Sequence, residues 1–122
     1  MLRYDGVVQL TARVALEDAT VGGLAVPQGQ VLLLLLAAAN RDPERFADPD
    51  AFDVAREDPK HLGFGGGAHF CLGAPLVRME AVVALGRLLE RFDVELAGEP
   101  KWRATVVLRG LQSLPVRLRS RA

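Results

Sequence analysis

The amino-acid sequence predicts an α+β protein: small antiparallel β-sheets, an irregular meander, and one long helix behind a glycine-rich loop that carries a cysteine. Short apolar segments interrupted by Gly22-Gly23, Pro27 and Gly29 occupy the first third, and similar segments return after Gly98. Charged residues and prolines crowd residues 40–60, and beyond Pro75 apolar residues recur at three- and four-residue steps. A two-residue period marks strands and a three-to-four-residue period marks a helix.

The first five residues have helical composition with no capping residue before them, a first sign that the sequence starts inside a longer fold. Val8, Leu10, Ala12 and Val14 alternate with partly polar neighbours, as in a half-buried strand. Gly22-Gly23 suits a tight turn, and residues 26–29 a second, with Pro27 pre-setting one dihedral and Gly29 closing it. Residues 31–36 are apolar on both faces and predict a strand buried on both sides. In residues 40–60, Pro43, Pro49 and Pro59 break any regular element, leaving a connection packed by Phe46 and Phe52. Leu76, Met79, Val83, Leu85, Leu88, Leu89 and Phe92 then form the wide stripe of a largely buried helix with Pro75 in its first turn. After Gly98-Glu99-Pro100, strands are expected over residues 102–108 and 114–118, joined near Gly110.

At 122 residues the chain has room for one domain, and a 50% hydrophobic composition argues against disorder. Zero net charge argues against a general nucleic-acid or anionic-membrane binder. Lys101, Arg103, Arg109, Arg117, Arg119 and Arg121 lie in a tail without acids, but Val116-Arg117-Leu118-Arg119 alternates like a strand with one solvated face. One cysteine cannot close an intrachain disulfide. The opening residues do not suit a signal peptide, and the apolar run 31–39 is too short for a bilayer. The expected setting is soluble and cytoplasmic.

Chemistry concentrates in residues 64–73, Phe-Gly-Gly-Gly-Ala-His-Phe-Cys-Leu-Gly. A phosphate loop needs Lys-Ser or Lys-Thr after its last glycine, and neither is present. A dinucleotide fingerprint is broken by Phe70 in the third glycine position. His61, His69 and Cys71 are one ligand short of a closed zinc site, and two of them stand too near to be independent anchors. What remains is a cysteine between a flexible loop and the first turn of a helix, where amides and the helix dipole favour a thiolate. Gly73 has no side chain to hold a flat ligand away, and Gly65 to Gly67 let the backbone bend close beneath it. A planar cofactor whose metal takes one thiolate suits this pattern.

The stretch Phe64-x-x-Gly67-x-x-x-Cys71-x-Gly73, continued by residues 74–80, resembles the heme-binding signature of the cytochrome P-450 monooxygenases, in a bacterial version. Asn40-Arg41-Asp42-Pro43 and the following Phe46, Asp48, Pro49, Asp50, Phe52, Asp53 and Arg56 resemble the family's meander. Thr11-Ala12-Arg13 with the two turns resembles its small sheet, and residues 110–116 its C-terminal strand pair. The resemblance covers essentially the whole chain as the C-terminal portion, residues 1–122, of a longer fold. The N-terminal part is then absent, including the acid–alcohol pair used in oxygen activation and the segments that roof the distal face.

The resemblance implies heme b as cofactor, Cys71 as thiolate ligand and catalytic residue, and insertion of one oxygen atom of O2 into a small organic substrate. Electrons would come from a ferredoxin-type or flavoprotein donor. It implies that His69 and Arg13 bind heme propionates, that Phe64 packs beside the sulfur, and that Gly65 and Gly73 let the heme approach. Arg3 and Arg56 would belong to a glutamate–arginine–arginine network whose glutamate falls one residue before Met1, and Arg45 would be a surface residue. Val8, Leu10, Val107 and Leu108 match positions where the family touches substrate. The isolated chain is expected to be incomplete: a non-catalytic fragment, half of a split protein, or a heme-binding module without turnover.

Overall fold

The computed structural model describes residues 1–57 and 60–121, so the break expected at Pro59 lies outside the described residues. The chain divides into two compact units, Met1–Gly63 with Thr105–Leu108, and Phe64–Ala104 with Arg109–Ala122.

In the first unit the opening residues form a single turn, closed by Asp5 N–H on the Met1 carbonyl at 2.9 Å. Strand β1 (Thr11–Val14) is paired later with β4 (Val31–Leu34), antiparallel, with Thr11 opposite Leu34 and Val14 opposite Val31. Between them β2 (Ala19–Val21) and β3 (Leu24–Val26) make a hairpin. Its loop is Gly22-Gly23, both with positive φ (58° and 82°), the conformation of the mirror-image turn that matches strand twist. The second turn closes one residue later than expected: Gln30 N–H donates to the Pro27 carbonyl at 3.1 Å, with Gly29 at φ 84°.

The doubly buried strand expected over 31–36 is not observed. β4 stops at Leu34, and Val31 and Leu33 are 59% and 62% exposed. Among the described residues it pairs with β1 alone, so it is an edge strand of a two-stranded sheet and not a central one. The chain then turns into the short helix α1 (Leu36–Ala39), whose Leu36 is buried. Residues 40–57 are irregular as expected. Phe46 is buried, whereas Phe52 is half exposed and meets Tyr4 edge-on, with ring centroids 5.2 Å apart.

The second unit begins with the glycine loop, continues through a 3₁₀ turn (Gly67–His69), and enters α2 (Ala74–Arg91) with Pro75 in its first turn. Pro fits there because the first-turn amides have no intrahelical acceptor. The helix ends one residue before Phe92, which opens β5 (Phe92–Leu96) instead of completing the helical stripe. β8 (Val116–Ser120) captures it, antiparallel, with Phe92 opposite Ser120 and Leu96 opposite Val116. Between them β6 (Lys101–Trp102) pairs with β7 (Leu111–Ser113). The strand expected over 102–108 is therefore confined to its first residue, and Arg103 N–H closes the excursion on the Gly110 carbonyl at 3.0 Å.

The expected burial of α2 is also not observed: Ala74 is its only buried residue, and Leu76, Met79, Val82, Val83, Leu85 and Leu89 are about half exposed or more. Its apolar arc is wide, yet among the described elements its main packing partner is β5. The basic tail, by contrast, has acidic neighbours across the ladder. Arg119 pairs with Glu95 at 3.3 Å and Arg121 with Asp93 at 2.6 Å, as suits a solvated strand face. No helix among the described residues is long and apolar enough to cross a membrane.

Candidate functional site

The loop from Phe64 to Gly73 is built by the second unit alone. Gly65 and Gly67 have φ of 72° and 64°, where a Cβ is strained, so glycine is required at both bends. Phe70 N–H donates to the Gly67 carbonyl at 3.0 Å, and Cys71 N–H to the Phe64 carbonyl at 2.9 Å, which closes the loop at its base. The Cys71 carbonyl accepts Ala74 N–H at 3.2 Å, and the Gly73 carbonyl accepts Val77 N–H at 3.0 Å. Cys71 is thereby joined to the loop through its amide and to the helix entrance through its carbonyl.

Five of the cofactor-site residues expected from the sequence, Phe64, Gly65, His69, Cys71 and Gly73, fall within this one loop. Cys71 is half-buried, and Gly73 is the N-cap of α2. A Cβ added at Gly73 would meet the Cys71 Sγ at 3.8 Å, so glycine leaves the space beside the sulfur open. No acid stands in the first turn of α2. His69, last residue of the 3₁₀ turn, is exposed, and so are Phe70 (51%) and Leu72 (98%) on either side of the cysteine. The Phe64 ring meets Phe70 edge-on at 6.2 Å, and the Arg78 guanidinium lies over it, 5.4 Å from its centroid. Among the described residues no group of three or more His, Cys, Asp and Glu could hold a metal ion.

The first unit carries the remaining expected residues. Arg13 is exposed on β1, and its guanidinium folds back onto the Ala12 carbonyl (2.7 Å) and Thr11 Oγ1 (3.4 Å). Val8 and Leu108, a hundred positions apart, form an isolated antiparallel bridge, and Gln9 N–H donates to the Val107 carbonyl at 2.9 Å. The two segments expected to touch substrate therefore lie side by side.

Arg3 and Arg56 converge on the meander. Arg3, 8% exposed, donates to the carbonyls of Asn40 (2.8 Å), Pro49 (2.8 Å) and Ala51 (3.1 Å), with its guanidinium over the Phe46 ring. Arg56 donates to the carbonyls of Ala47 (2.7 Å) and Asp48 (3.1 Å). Burial first, then the cations Arg56 and Arg41, hold the Arg3 pKa below the usual guanidinium value. The Arg56 Nε is buried with no hydrogen-bond partner among the described residues. Arg45 is exposed, as expected.

Two residues of the meander resemblance have partners that are not apparent from the sequence. Asn40, fully buried, accepts Leu62 N–H on its Oδ1 at 2.8 Å and so ties the end of α1 to the approach to the glycine loop. The meander motif includes Asn40, but nothing in the sequence points to Leu62 as its partner. Arg41 donates to the Tyr4 carbonyl at 2.7 Å and pairs with Asp50, whose hydrogen bond raises the Arg41 pKa. The meander motif singles out Arg41, but nothing in the local sequence names Tyr4 or Asp50 as its partner.

The sequence matches the cytochrome P-450 family over residues 1–112. It is 50% identical over 121 residues to cytochrome P-450 107B1 of Saccharopolyspora erythraea, covering 95% of this chain and 30% of that protein. It is 45% identical over 122 residues to 6-deoxyerythronolide B hydroxylase of the same organism, covering 97% and 30%. Among solved structures, P-450BioI in complex with an acyl carrier protein bearing hexadec-9Z-enoic acid superposes with a TM-score of 0.90 at 46% identity, over 97% of this chain and 31% of that one. The chain thus spans about 30% of the length of the relatives it matches. Together with a lone cysteine at the entrance of α2 and the left-handed glycines before it, these matches make the chain a member of the cytochrome P-450 family.

Proposed function

We propose that residues 1–122 are the C-terminal portion of a heme-thiolate monooxygenase that inserts one oxygen atom of O2 into a small organic molecule. Family membership implies a heme cofactor; the finer reading is heme b with Cys71 as its axial ligand. The observation that carries it is the cysteine loop: a half-buried thiol joined by its amide to the loop and by its carbonyl to a helix entrance, with Gly73 beside the sulfur. That donor set fits the group. When bound, heme would supply redox-active iron for O2 chemistry, and the Cys71 thiolate would hold that iron and enrich its electron density.

The chain's own residues hold and shield. Cys71 provides the ligand atom, and Phe64 keeps water from one side of it. His69 is proposed as a propionate partner, supported by its exposure in the same loop. Arg13 is proposed as a second, supported by the resemblance and by a guanidinium that, among the described residues, hydrogen-bonds to its own strand. Val8, Leu10, Val107 and Leu108 are proposed to line the substrate side, supported by the bridge that joins their segments. The orphaned Arg56 Nε supports an acceptor from a segment outside these residues. Electrons would come from a ferredoxin-type or flavoprotein donor, in the cytoplasm, where a lone cysteine stays reduced. A second reading, heme binding without turnover by these residues alone, is supported by the 30% span and the uncovered face of α2.

The experiment is heme loading of the chain. Its ferrous carbon monoxide complex should show the strongly red-shifted band of a thiolate ligand, and Cys71→Ser should abolish it. A band of the histidine-ligated type in the unsubstituted chain would overturn the assignment. Arg13→Ala and His69→Ala should each weaken heme retention by roughly 1.5–3 kcal/mol while leaving the band in place. Unchanged retention in both would remove them from the site.

A further inference from the structure

We propose that Arg78 is a positioning residue for Cys71, acting through the ring of Phe64. This rests on the assignment of Cys71 as the ligand, and concerns how the chain holds that sulfur in place. Between Phe64 and Cys71 the backbone passes through two left-handed glycines and an extended Gly66, and the 3₁₀ turn closed by Phe70 N–H on the Gly67 carbonyl is the regular part, so few contacts set the shape of the whole loop. One hydrogen bond, Cys71 N–H to the Phe64 carbonyl, closes it. That bond keeps its geometry only while Phe64 stays in place.

Arg78 is the fifth residue of α2, on the rigid rod that Cys71 itself helps to start. Its guanidinium lies over the Phe64 ring at 5.4 Å, while Phe70 meets the same ring edge-on. A guanidinium over an aromatic face is attractive, because the ring presents its negative face to the cation. The ring is thus held from the helix on one side and from the loop on another. Arg78 ties the far end of the loop to the same helix that Cys71 enters, so the sulfur's surroundings are fixed at both ends of the loop.

The test uses the whole 122-residue chain without heme, reading the alkylation rate of Cys71 by iodoacetamide and the hydrogen exchange of the Cys71 amide. Arg78→Ala should raise both by about twofold to fivefold, the size of one exposed cation–π contact. Arg78→Lys should restore at least part of the protection. Arg87→Ala removes an arginine of the same helix that pairs with Glu90, and should leave both rates unchanged. In a Phe64→Leu background, Arg78→Ala should have no further effect, and helical circular dichroism identifies any variant that has simply unfolded. In heme-loaded chain, Arg78→Ala should also enlarge the non-thiolate share of the carbon monoxide spectrum. Rates equal to those of Arg87→Ala, failure of lysine to protect, or an undiminished effect in the Phe64→Leu background would each overturn the proposal. Failure of heme loading alone would count against Cys71 ligation, and the heme-free rates would still decide the role of Arg78.

Discussion

The first unit holds its irregular segment by arginine hydrogen bonds to main-chain carbonyls, whereas the second closes its cysteine loop by main-chain hydrogen bonds, with an arginine lying over an aromatic ring. In the meander, Arg3 and Arg56 gather five main-chain carbonyls that no strand or helix would satisfy. In the second unit α2 and the β5–β8 ladder pair main-chain groups with one another, and the charged side chains there make exposed ion pairs. Irregular chain must borrow donors from side chains because a buried carbonyl without a partner is costly. Regular elements need no such help, so their side chains are free to face outward, and in this chain much of their apolar surface does.

This contrast predicts where substitutions hurt most. Arg3→Ala removes three charge-assisted hydrogen bonds from a buried position and should cost about 3–5 kcal/mol, read as lost amide protection over residues 40–51 and at Leu62. A loss below about 1 kcal/mol would mean that the meander holds its shape without the arginine. Gly67→Ala should cost about 1–2 kcal/mol by urea unfolding, because φ is 64° while the space around an added Cβ is empty. Gly66→Ala, equally uncrowded but extended, should be close to neutral. Equal losses at the two positions would show that backbone conformation does not set the loop. Arg121→Ala should change stability by less than about 1 kcal/mol despite its short contact with Asp93, since both partners are half exposed. A larger loss would bring the second unit nearer to the arginine-held first one.

Much of the site is legible in the residues. The bends at Gly22-Gly23 and at the glycine loop, the start of α2 at Pro75 and the placement of Cys71 before it all occur where the spacing puts them. The irregular meander is legible through its prolines, and Arg3 and Arg56 through the family resemblance. The acceptors they use are not. Carbonyls of Asn40, Pro49 and Ala51 carry no residue-specific signal, because every residue has one. Phe92 departs from the sequence expectation because its spacing continues the helical stripe, and only the ladder with Ser120 draws it into a strand. Residues 31–36 depart from it because an apolar segment states what surface it could bury, not whether a neighbour is there to bury it.

The amino-acid sequence by itself determined the features that depend on local backbone sterics. Glycine adopts the left-handed bends at Gly65 and Gly67 without the strain that a Cβ brings, and proline is accommodated at the first turn of α2. Tertiary structure decided everything that needs a distant partner: the end of α2 at β5, the bridge between Val8 and Leu108, and the carbonyls that Arg3 clasps. The physical reason is range. A dihedral preference acts within one residue, while a hydrogen bond or a covered apolar face exists only once the chain has brought its other half near.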